Sequence, residues 1–452
     1  MHIKNLKIEQ LYGYIDKEID FYTDLTLLVG INGSGKTSIL NILNWLISPS
    51  LPDLCVTEFN KISLKFTFKR TEYTIVCEHL KKKFKYEIKS KNKVYPSLNI
   101  EISNNPAEIG NDDQLKANLI QSYQRLAPEG NEKKTWELIS KFPNPTIIGL
   151  DRNLYTEESF NQIYFEEYPR SRLLSKRGRV TSSPLDRVKQ IINEEYRIRK
   201  NTILNLTNDL KNQLILSTFD GSITKASLLK DNQSKLNLKS IEKVEKRVHD
   251  YFEKYEVKTI ATNEQDTVAK YFSQLKTIIN QFQDNPKDDI VSFLYRINAN
   301  QFNKVKKLQI EFEKFEKDSF NEMNQIENYI STLNHFLKDS AKEILFKEDT
   351  SELTFNALDK NGNILKEFKD INFLSSGEQQ ILILFSYIAF NSGDGKVFII
   401  DEPELSLHIK WQEDFLDKLD KITPENTQII LATHSPILAH KKKEKAKLLL
   451  PY

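Results

Sequence analysis

A glycine-rich loop near the start of the chain and an acidic strand near residue 400 constrain the fold more than any other feature. The loop GINGSGKT, Gly30 to Thr37, fits the pattern G-x-x-x-x-G-K-[ST] and follows the apolar run Leu25 to Val29. The run VFIIDE, Val397 to Glu402, has four apolar residues that end in two carboxylates. Both runs are typical of buried parallel strands, whose carboxyl ends meet at one edge of a doubly wound sheet. The sequence therefore predicts an α/β core whose two halves are far apart in the chain.

The residues of the loop suit a bound phosphate. Its glycines allow backbone N–H groups to converge on phosphate oxygens, and the start of the following helix adds partial positive charge. The lysine is suited to bridging the β- and γ-phosphates, and the threonine hydroxyl to binding Mg²⁺. We therefore expect ATP and Mg²⁺ as cofactors. The predicted nucleotide-binding residues of the loop are Gly30, Asn32, Gly33, Ser34, Gly35, Lys36, Thr37 and Ser38.

Three side chains after the later strands are candidates for the chemistry. Asp401 is expected to hold Mg²⁺ together with Thr37, and Glu402, the next residue, to orient or deprotonate an attacking water. His434 follows the next predicted strand, IILATH, and so should emerge at the same sheet edge, within reach of a γ-phosphate. We expect Glu402 and His434 to be the catalytic residues.

The remaining segments predict three domains in sequence. From Lys61 to Tyr95, alternating apolar and polar residues indicate an antiparallel β-lobe laid on the core. From about residue 183, long stretches with apolar residues three and four positions apart indicate packed helices, including a short coiled-coil hairpin. The predicted boundaries are 1–182 for the first half of the core, 183–344 for the helical insertion, and 345–452 for the second half.

Composition limits the protein class only weakly. The 65 Lys and Arg residues nearly balance the 63 Asp and Glu residues, so overall charge neither demands nor excludes nucleic acid. Two cysteines cannot make a four-ligand zinc site, and we expect Cys55 and Cys77 to be reduced and at least half-buried. No run is apolar enough for a signal peptide or a membrane span, so the sequence predicts a cytoplasmic protein with no membrane partner.

A family resemblance rests on these motifs and on a further one, LSSGEQQ, Leu374 to Gln380. Together with DEPELSLH, Asp401 to His408, and with His434, they resemble the Walker A, signature, Walker B, D-loop and switch motifs of ABC-type ATPases of the SMC and OLD-like group. The match covers about 1–180 and 345–440. It implies an ABC-type P-loop ATPase core, with a mixed sheet and an antiparallel β-lobe, that is split by an α-helical insertion.

The resemblance also implies a composite ATP site. Two copies would meet head to tail, so that Ser376, Gly377 and Glu378 of one copy contact the nucleotide held by Lys36 of the other. A helix start is itself an anion site, but Ser followed by Glu or Gln is also an ordinary capping signature. We expect a homodimer through these sites, and a higher homo-oligomer beyond it.

Two features of the group are not found at their usual positions. Leu11, Tyr12 and Gly13 stand where members usually have an aromatic residue followed by arginine. The glutamine that helps to hold Mg²⁺ has three candidates. They are Gln114, Gln121 and Gln124. Arg152, beside Asp151, is a further candidate site residue.

The partners are expected from the resemblance and from local charge. The few residues after His434 leave no room for a nuclease domain, so we expect the effector to be a separate chain. This arrangement resembles the ATPase subunits of Septu-type, retron-linked and PARIS-type phage defence, which act with a separate nuclease. DNA is another candidate partner, because three basic runs occur. Two alternative functions stay open, a RecF- or SMC-like DNA repair ATPase and a nucleotide-gated scaffold. The basic runs are Lys81 to Lys93, Arg170 to Arg179 and Lys441 to Lys447.

Overall fold

The computed structural model describes most of the chain. The described residues are 1–91, 93–104, 106–109, 112–124, 128–148, 154–155, 184–219, 238–255, 262–391 and 395–450. The chain divides into two compact units. The first is Met1–Glu194 with Asn328–Tyr452, and the second is Glu195–Glu327. The three-part division at 183 and 344 stays a prediction.

The described elements follow in chain order. The strands are β1 His2–Leu11, β2 Ile15–Asp20, β3 Leu25–Val29, β4 Lys61–Phe68, β5 Thr71–Leu80, β6 Lys83–Ser90, β7 Lys93–Val94, β8 Leu98–Glu101, β9 Thr146–Ile148, β10 Leu154–Tyr155, β11 Lys342–Phe346, β12 Leu353–Leu358, β13 Ile364–Asp370, β14 Val397–Asp401, β15 Gln428–Thr433 and β16 Ala446–Leu448. The α-helices are α1 Lys36–Ile47, α2 Leu51–Val56, α3 Pro106–Ile109, α4 Asp113–Tyr123, α5 Lys133–Ile139, α6 Pro184–Phe219, α7 Leu238–Tyr255, α8 Thr262–Asp284, α9 Asp289–Ile297, α10 Ala299–Leu337, α11 Ser376–Phe390, α12 Ile409–Ile422 and α13 Pro436–Lys441.

A six-stranded sheet forms the centre of the first unit. Its order is β10-β9-β14-β15-β3-β16, and all neighbours are parallel except β9 and β10. The strand that precedes the glycine-rich loop, β3, lies directly beside β15, and β15 lies beside the acidic strand β14. The two distant halves of the predicted core therefore form one sheet.

Apolar residues on both faces explain why these strands are buried. Along β14, Phe398 and Ile400 pack on one side with α11 and α12, while Val397 and Ile399 pack on the other side with α1. All five residues of the strand are buried. Because successive side chains of a strand point to opposite faces, an unbroken apolar run is what a sheet covered on both sides requires.

An antiparallel sheet covers part of this core. Its order is β2-β1-β4-β5-β6-β7, with β8 also paired to β6. The predicted β-lobe is thus present, and it also includes the first two strands of the chain. A second antiparallel sheet, β11-β12-β13, contains a hairpin whose turn has the sequence DKNG. The α/β fold class with a mixed sheet, an antiparallel lobe and a helical insertion is confirmed.

The second unit is helical. Its larger core joins α7, α8 and α10 through seven buried apolar residues. These residues are Ile241, Val244, Phe272, Leu275, Ile279, Phe302 and Val305. A smaller cluster joins Leu210 of α6 to Tyr251 of α7 and Phe312 of α10. The apolar residues spaced at three and four positions therefore serve as helix-packing surfaces, as their spacing predicts.

Two further predictions can be compared with the structure. Both cysteines are free and fully buried, and burial raises the pKa of each thiol. The prediction of buried, reduced thiols is therefore confirmed. Among the described helices, none is long and apolar enough to cross a membrane.

Candidate functional site

The glycine-rich loop connects β3 to α1 and requires glycine at three positions. Gly33 and Gly35 have φ angles of 82° and 84°, in the left-handed region that side chains rarely adopt. Gly30 is required by space, because a Cβ there would lie 2.5 Å from Ser34 Oγ and 2.7 Å from the carbonyl oxygen of Leu449. Asn32 is exposed, whereas Ser34 is 2% exposed. The loop therefore has the backbone that a phosphate-binding loop before a helix needs.

Lys36, His434 and Glu402 form a connected line of side chains. Lys36 Nζ donates to the carbonyl oxygens of Gly30 and Ile31, at 2.9 and 3.2 Å, and lies 3.3 Å from His434 Nδ1. His434 Nε2 lies 2.9 Å from Glu402 Oε1. Because an ammonium group can only donate, Nδ1 is the acceptor, and Nε2 carries the proton that it donates to Glu402.

Burial and nearby charges have opposite effects on the pKa of Lys36, which is 4% exposed. Burial lowers its pKa from the usual lysine value, although the nearby carboxylates of Glu402, Asp401 and Glu404 raise it. The three carboxylates thus favour the protonated ammonium, which is the form that binds phosphate.

Asp401 and Thr37 offer oxygen atoms suited to Mg²⁺. Asp401 ends β14 and is 8% exposed, and the Thr37 hydroxyl lies close enough to affect its pKa. Burial raises the pKa of Asp401, the Thr37 hydroxyl lowers it, and the charge of Glu402 raises it further. Its Oδ1 atom is buried without a hydrogen-bond partner in the described part of the chain. A buried carboxylate oxygen in need of a partner, next to a hydroxyl, fits the hard oxygen donors that Mg²⁺ prefers.

Glu402 has a backbone conformation that the sequence did not indicate. Its φ of 47° and ψ of 56° lie in the left-handed region, and its N–H donates to the carbonyl oxygen of Ala432 on β15. This region is unfavourable for a residue with a side chain, and such strain is concentrated at functional sites. The turn directs the chain from β14 into a short 3₁₀ helix, Pro403–Ser406.

The sequence predicts Glu404 only as part of the DEPELSLH motif, yet Glu404 contacts the segment around His434 directly. The carboxylate is 8% exposed, and its Oε1 accepts from Thr433 Oγ1 at 2.7 Å, from His434 N at 2.6 Å and from Ser435 N at 3.0 Å. Glu404 therefore fixes the backbone on both sides of His434. The sequence signal that could have found it is a carboxylate two residues after Glu402 that leaves the same strand end.

The predicted signature residues begin α11. Ser375 caps the helix and forms a capping box with Glu378, and Ser376 is exposed at the first helical position. Glu378 is 2% exposed, and its carboxylate accepts two hydrogen bonds from Lys342 and one from the Ser375 N–H. Within the described part of the chain, no hydrogen bond or ion pair joins Ser376, Gly377 or Glu378 to the glycine-rich loop. Their contact with nucleotide stays a prediction, and Glu378 has a structural role in its own subunit.

Several other predicted residues lie away from this line or outside the described residues. Gln114 and Gln121 are exposed on α4, and Gln124 is the C-cap residue that follows it. Within the described residues, none of the three is hydrogen-bonded to Asp401 or Thr37. Asp151, Arg152 and the basic run 170–179 lie outside the described residues.

Several lysines of the other two basic runs form ion pairs with carboxylates of this chain. On β6, Lys85 and Lys89 both pair with Glu87. In the later run, Lys441 pairs with Asp417, Lys442 with Asp420 and Lys445 with Asp24. These pairs reduce the net positive charge that either run presents to a phosphate backbone.

Comparison with known proteins gives matches over most of the chain. Residues 1–439 match the family model described as AAA ATPase domain. The retron Vc95 probable ATPase of Vibrio cholerae serotype O1 biovar El Tor is 28% identical over 189 residues, which cover 37% of this chain and 35% of that protein. The retron Ec83 probable ATPase of Escherichia coli is 40% identical over 78 residues, covering 15% of this chain and 14% of that protein.

A third similar protein belongs to a different process. The DNA double-strand break repair Rad50 ATPase of Methanococcus maripaludis is 26% identical over 263 residues, covering 53% of this chain and 25% of that protein. The chain thus spans about a third or less of the length of each of these curated relatives.

Proposed function

The chain belongs to the AAA ATPase domain family, and we propose that its ATP hydrolysis controls a separate effector chain, such as a nuclease, in defence against phage. ATP binding and hydrolysis follow from the family. The control of an effector is supported by the two similar retron ATPases, because their names place them in retron systems.

The single observation that carries the chemistry is the line Lys36, His434, Glu402 beside Asp401 and Thr37. Lys36 and the loop N–H groups would bind the β- and γ-phosphates. Asp401 and Thr37 would hold Mg²⁺, which supplies charge neutralisation at the phosphates. Glu402 would orient the attacking water and accept its proton, and His434 would hold the Glu402 carboxylate through Nε2–H while its ring lies beside Lys36.

The hydrolysis step is a displacement at the γ-phosphorus. A bond forms between the water oxygen and phosphorus, the bond from phosphorus to the bridging oxygen breaks, and ADP leaves. We expect Glu402→Gln to bind ATP with little change in affinity but to lower kcat at least ~100-fold, as loss of a general base does. Wild-type turnover by this variant, measured as phosphate release, would show that the chemistry lies elsewhere.

We further propose that two copies complete each site. Ser376 is exposed at the start of α11, where free N–H groups and the helix dipole suit a phosphate. Large apolar residues are also exposed beside the site motifs, a composition typical of a protein interface. They are Ile31 at 65%, Phe373 at 71%, Leu405 at 62% and Ile409 at 64%.

A mixing experiment tests the shared site. Ser376→Arg should block the partner's nucleotide site, whereas Lys36→Ala should block the site of its own copy. A mixture of the two variants contains pairs with one intact composite site, made from Lys36 of the first variant and Ser376 of the second. Recovery of up to about a quarter of wild-type activity, from random pairing of equal amounts, supports the shared site. If both residues served the same copy, the mixture would stay inactive.

Co-purification tests the effector. The protein isolated from its native host in the presence of ATP should bring a companion chain in a fixed ratio, and Lys36→Ala should change that association. A protein that purifies alone under both conditions would contradict control of a separate effector.

A DNA repair function is the second candidate, because the match to the Rad50 ATPase covers the largest share of this chain among the three relatives described. It predicts hydrolysis that DNA stimulates, with a steep loss of stimulation as salt rises. Hydrolysis that is the same with and without DNA would argue against it.

A further inference from the structure

Helix α9 of the second unit presents a stripe of large apolar side chains to solvent. The exposed fractions are 72% for Ile290, 62% for Phe293, 41% for Leu294 and 52% for Ile297. These residues are spaced i, i+3, i+4 and i+7, so they share one face of the helix. Such a face on a short, exposed helix is typical of a surface that another protein covers.

The helix is firmly held on its other side. The Asp288 side chain caps its start by accepting from the N–H groups of Ile290 and Val291. Tyr295 stacks on Phe282, with ring centroids 4.3 Å apart. Its ring centroid also lies 4.9 Å from that of Phe302. At 100° per residue, Tyr295 lies nearly opposite the exposed stripe. The packing of α9 on its own unit therefore leaves this stripe facing away from that core.

The charges of α9 indicate which partner fits. Its two charged residues, Asp289 and Arg296, are seven positions apart and so lie on the same flank of the stripe. When two copies of α9 pair antiparallel about a two-fold axis, Asp289 of each copy lies beside Arg296 of the other. An axis at the centre of the stripe sets Ile290 opposite Ile297 and Phe293 opposite Leu294. It leaves Asp289 of one copy about two positions, or roughly 3 Å along the helix, from the level of Arg296 of the other, within reach of these side chains. A parallel pair puts the charged flanks on opposite sides, so the helix is complementary to itself in the antiparallel arrangement only.

We propose that α9 is a self-association surface that pairs antiparallel with α9 of a second copy of this chain. Taking about 150–200 Å² for a large side chain, the stripe exposes roughly 400 Å² per copy. A stable interface buries about 800 Å² per partner, so this contact alone is weak. It gains strength when a second contact already holds copies together, and that contact is the ATP-dependent pairing of the proposed function, on which this part of the inference rests.

Charge-swap variants test the antiparallel arrangement. Asp289→Lys alone sets two positive charges side by side across the pair, and Arg296→Glu alone sets two negative charges there. Each variant should self-associate at least about tenfold more weakly than wild type in sedimentation equilibrium with a non-hydrolysable ATP analogue. An equimolar mixture should regain association, because each unlike pair is then complementary. A structural effect of either substitution would persist in the mixture, and absence of recovery overturns the proposal.

A matched pair of variants tests the apolar stripe. Phe293→Lys removes the central side chain, and Phe320→Lys changes a phenylalanine that is 60% exposed on α10, in the same unit. Only Phe293→Lys should weaken association. Equal effects of the two changes, or no effect of either, overturn the proposal.

A cysteine cross-link identifies the occupant and separates this inference from the proposed function. Leu294→Cys puts a thiol near the two-fold axis, and the native Cys55 and Cys77 are buried. Mild oxidation should give a covalent dimer of this chain even with Lys36→Ala, which lacks the ATP-dependent contact. If α9 pairs but nucleotide pairing fails, the dimer forms without any effect of ATP. A cross-link to a different chain, or only monomer in every condition, overturns the self-association.

Discussion

Glu404→Ala should slow ATP hydrolysis without removing any group that touches the nucleotide. In the wild-type protein, Glu404 Oε1 accepts from Thr433 Oγ1, His434 N and Ser435 N. Ser435 N has a second partner in Thr433 Oγ1. His434 N would thus lose its acceptor, and its segment would move to find another.

The size of the effect on kcat follows from the His434 N–H that loses its acceptor. A partly buried N–H without a partner costs about 1–3 kcal/mol, and relaxation of the backbone by a few tenths of an ångström displaces the imidazole from Glu402. If about 2 kcal/mol of that cost appears in the barrier, kcat falls about 30-fold, since 1.4 kcal/mol is tenfold. The expected range is about 10- to 100-fold, with the Kd for ATP changed less than about threefold.

The assay is steady-state phosphate release combined with nucleotide binding by fluorescence. Glu404→Gln is the matched control, because its amide oxygen can still accept and should keep most of the activity. A second test combines the change with His434→Ala. If Glu404 acts by positioning His434, adding Glu404→Ala to His434→Ala costs little more. The reasoning is refuted if Glu404→Ala lowers kcat by the same factor with and without His434.

Three further changes test other parts of the site. Gly30→Ala puts a Cβ against the Leu449 carbonyl oxygen. It should lower the free energy of unfolding by about 1–3 kcal/mol and weaken ATP binding. An unchanged urea unfolding curve would contradict this close approach. Asp401→Asn should raise the Tm of the nucleotide-free protein at pH 7 and abolish hydrolysis. Because burial raises the Asp401 pKa, ionisation of this carboxyl costs the folded protein stability as pH rises through that pKa. The gain in Tm should therefore vanish below about pH 4, where the carboxyl is protonated in both the folded and the unfolded protein. Lys342→Met leaves the buried Glu378 charge without its partner and should cost about 2–4 kcal/mol at pH 7. Burial raises the pKa of Glu378, but Lys342 and further hydrogen-bond donors together bring it below its usual value. Stability from this pair is therefore present above about pH 4.5 and is lost as pH falls through that lowered pKa. A cost of Lys342→Met that is equal at pH 7 and pH 4 would refute this pairing.

The parts of the site that depend on local chemistry could be predicted from the sequence. The glycine pattern predicts the turn from β3 into α1, and an apolar run that ends in Asp401 predicts a buried strand with its carboxylate at the sheet edge. The order of β14, β15 and β3 then brings His434 to Lys36. The positions of these residues could be predicted because each follows directly from its own strand.

The residues that the sequence did not identify depend on contacts between distant segments. Nothing near Glu404 in the sequence shows that its carboxylate accepts from the residues around His434. In the same way, the Lys342 partner of Glu378 lies beyond the reach of a local pattern, so Glu378 could be predicted only as a signature residue. The basic run near residue 445 is another example, because Lys445 pairs with Asp24, a residue far from it in the sequence.

Hydrophobic spacing also could not separate packing from exposure. The stripes of α7 and α10 are buried in their unit, whereas the equally regular stripe of α9 is exposed. The same spacing fits a core contact and a contact with another copy, since both bury one face of a helix. Only the position of Tyr295 shows which face of α9 its own unit uses.

The place of β3 in the sheet has a consequence for synthesis of the protein. This strand is made long before both of its neighbours, β15 and β16. A nascent chain on the ribosome thus carries a nearly complete phosphate loop whose supporting strands do not yet exist. Enzyme activity should appear only after residue 449 has left the exit tunnel, so messages cut short within the second half give products that cannot consume ATP.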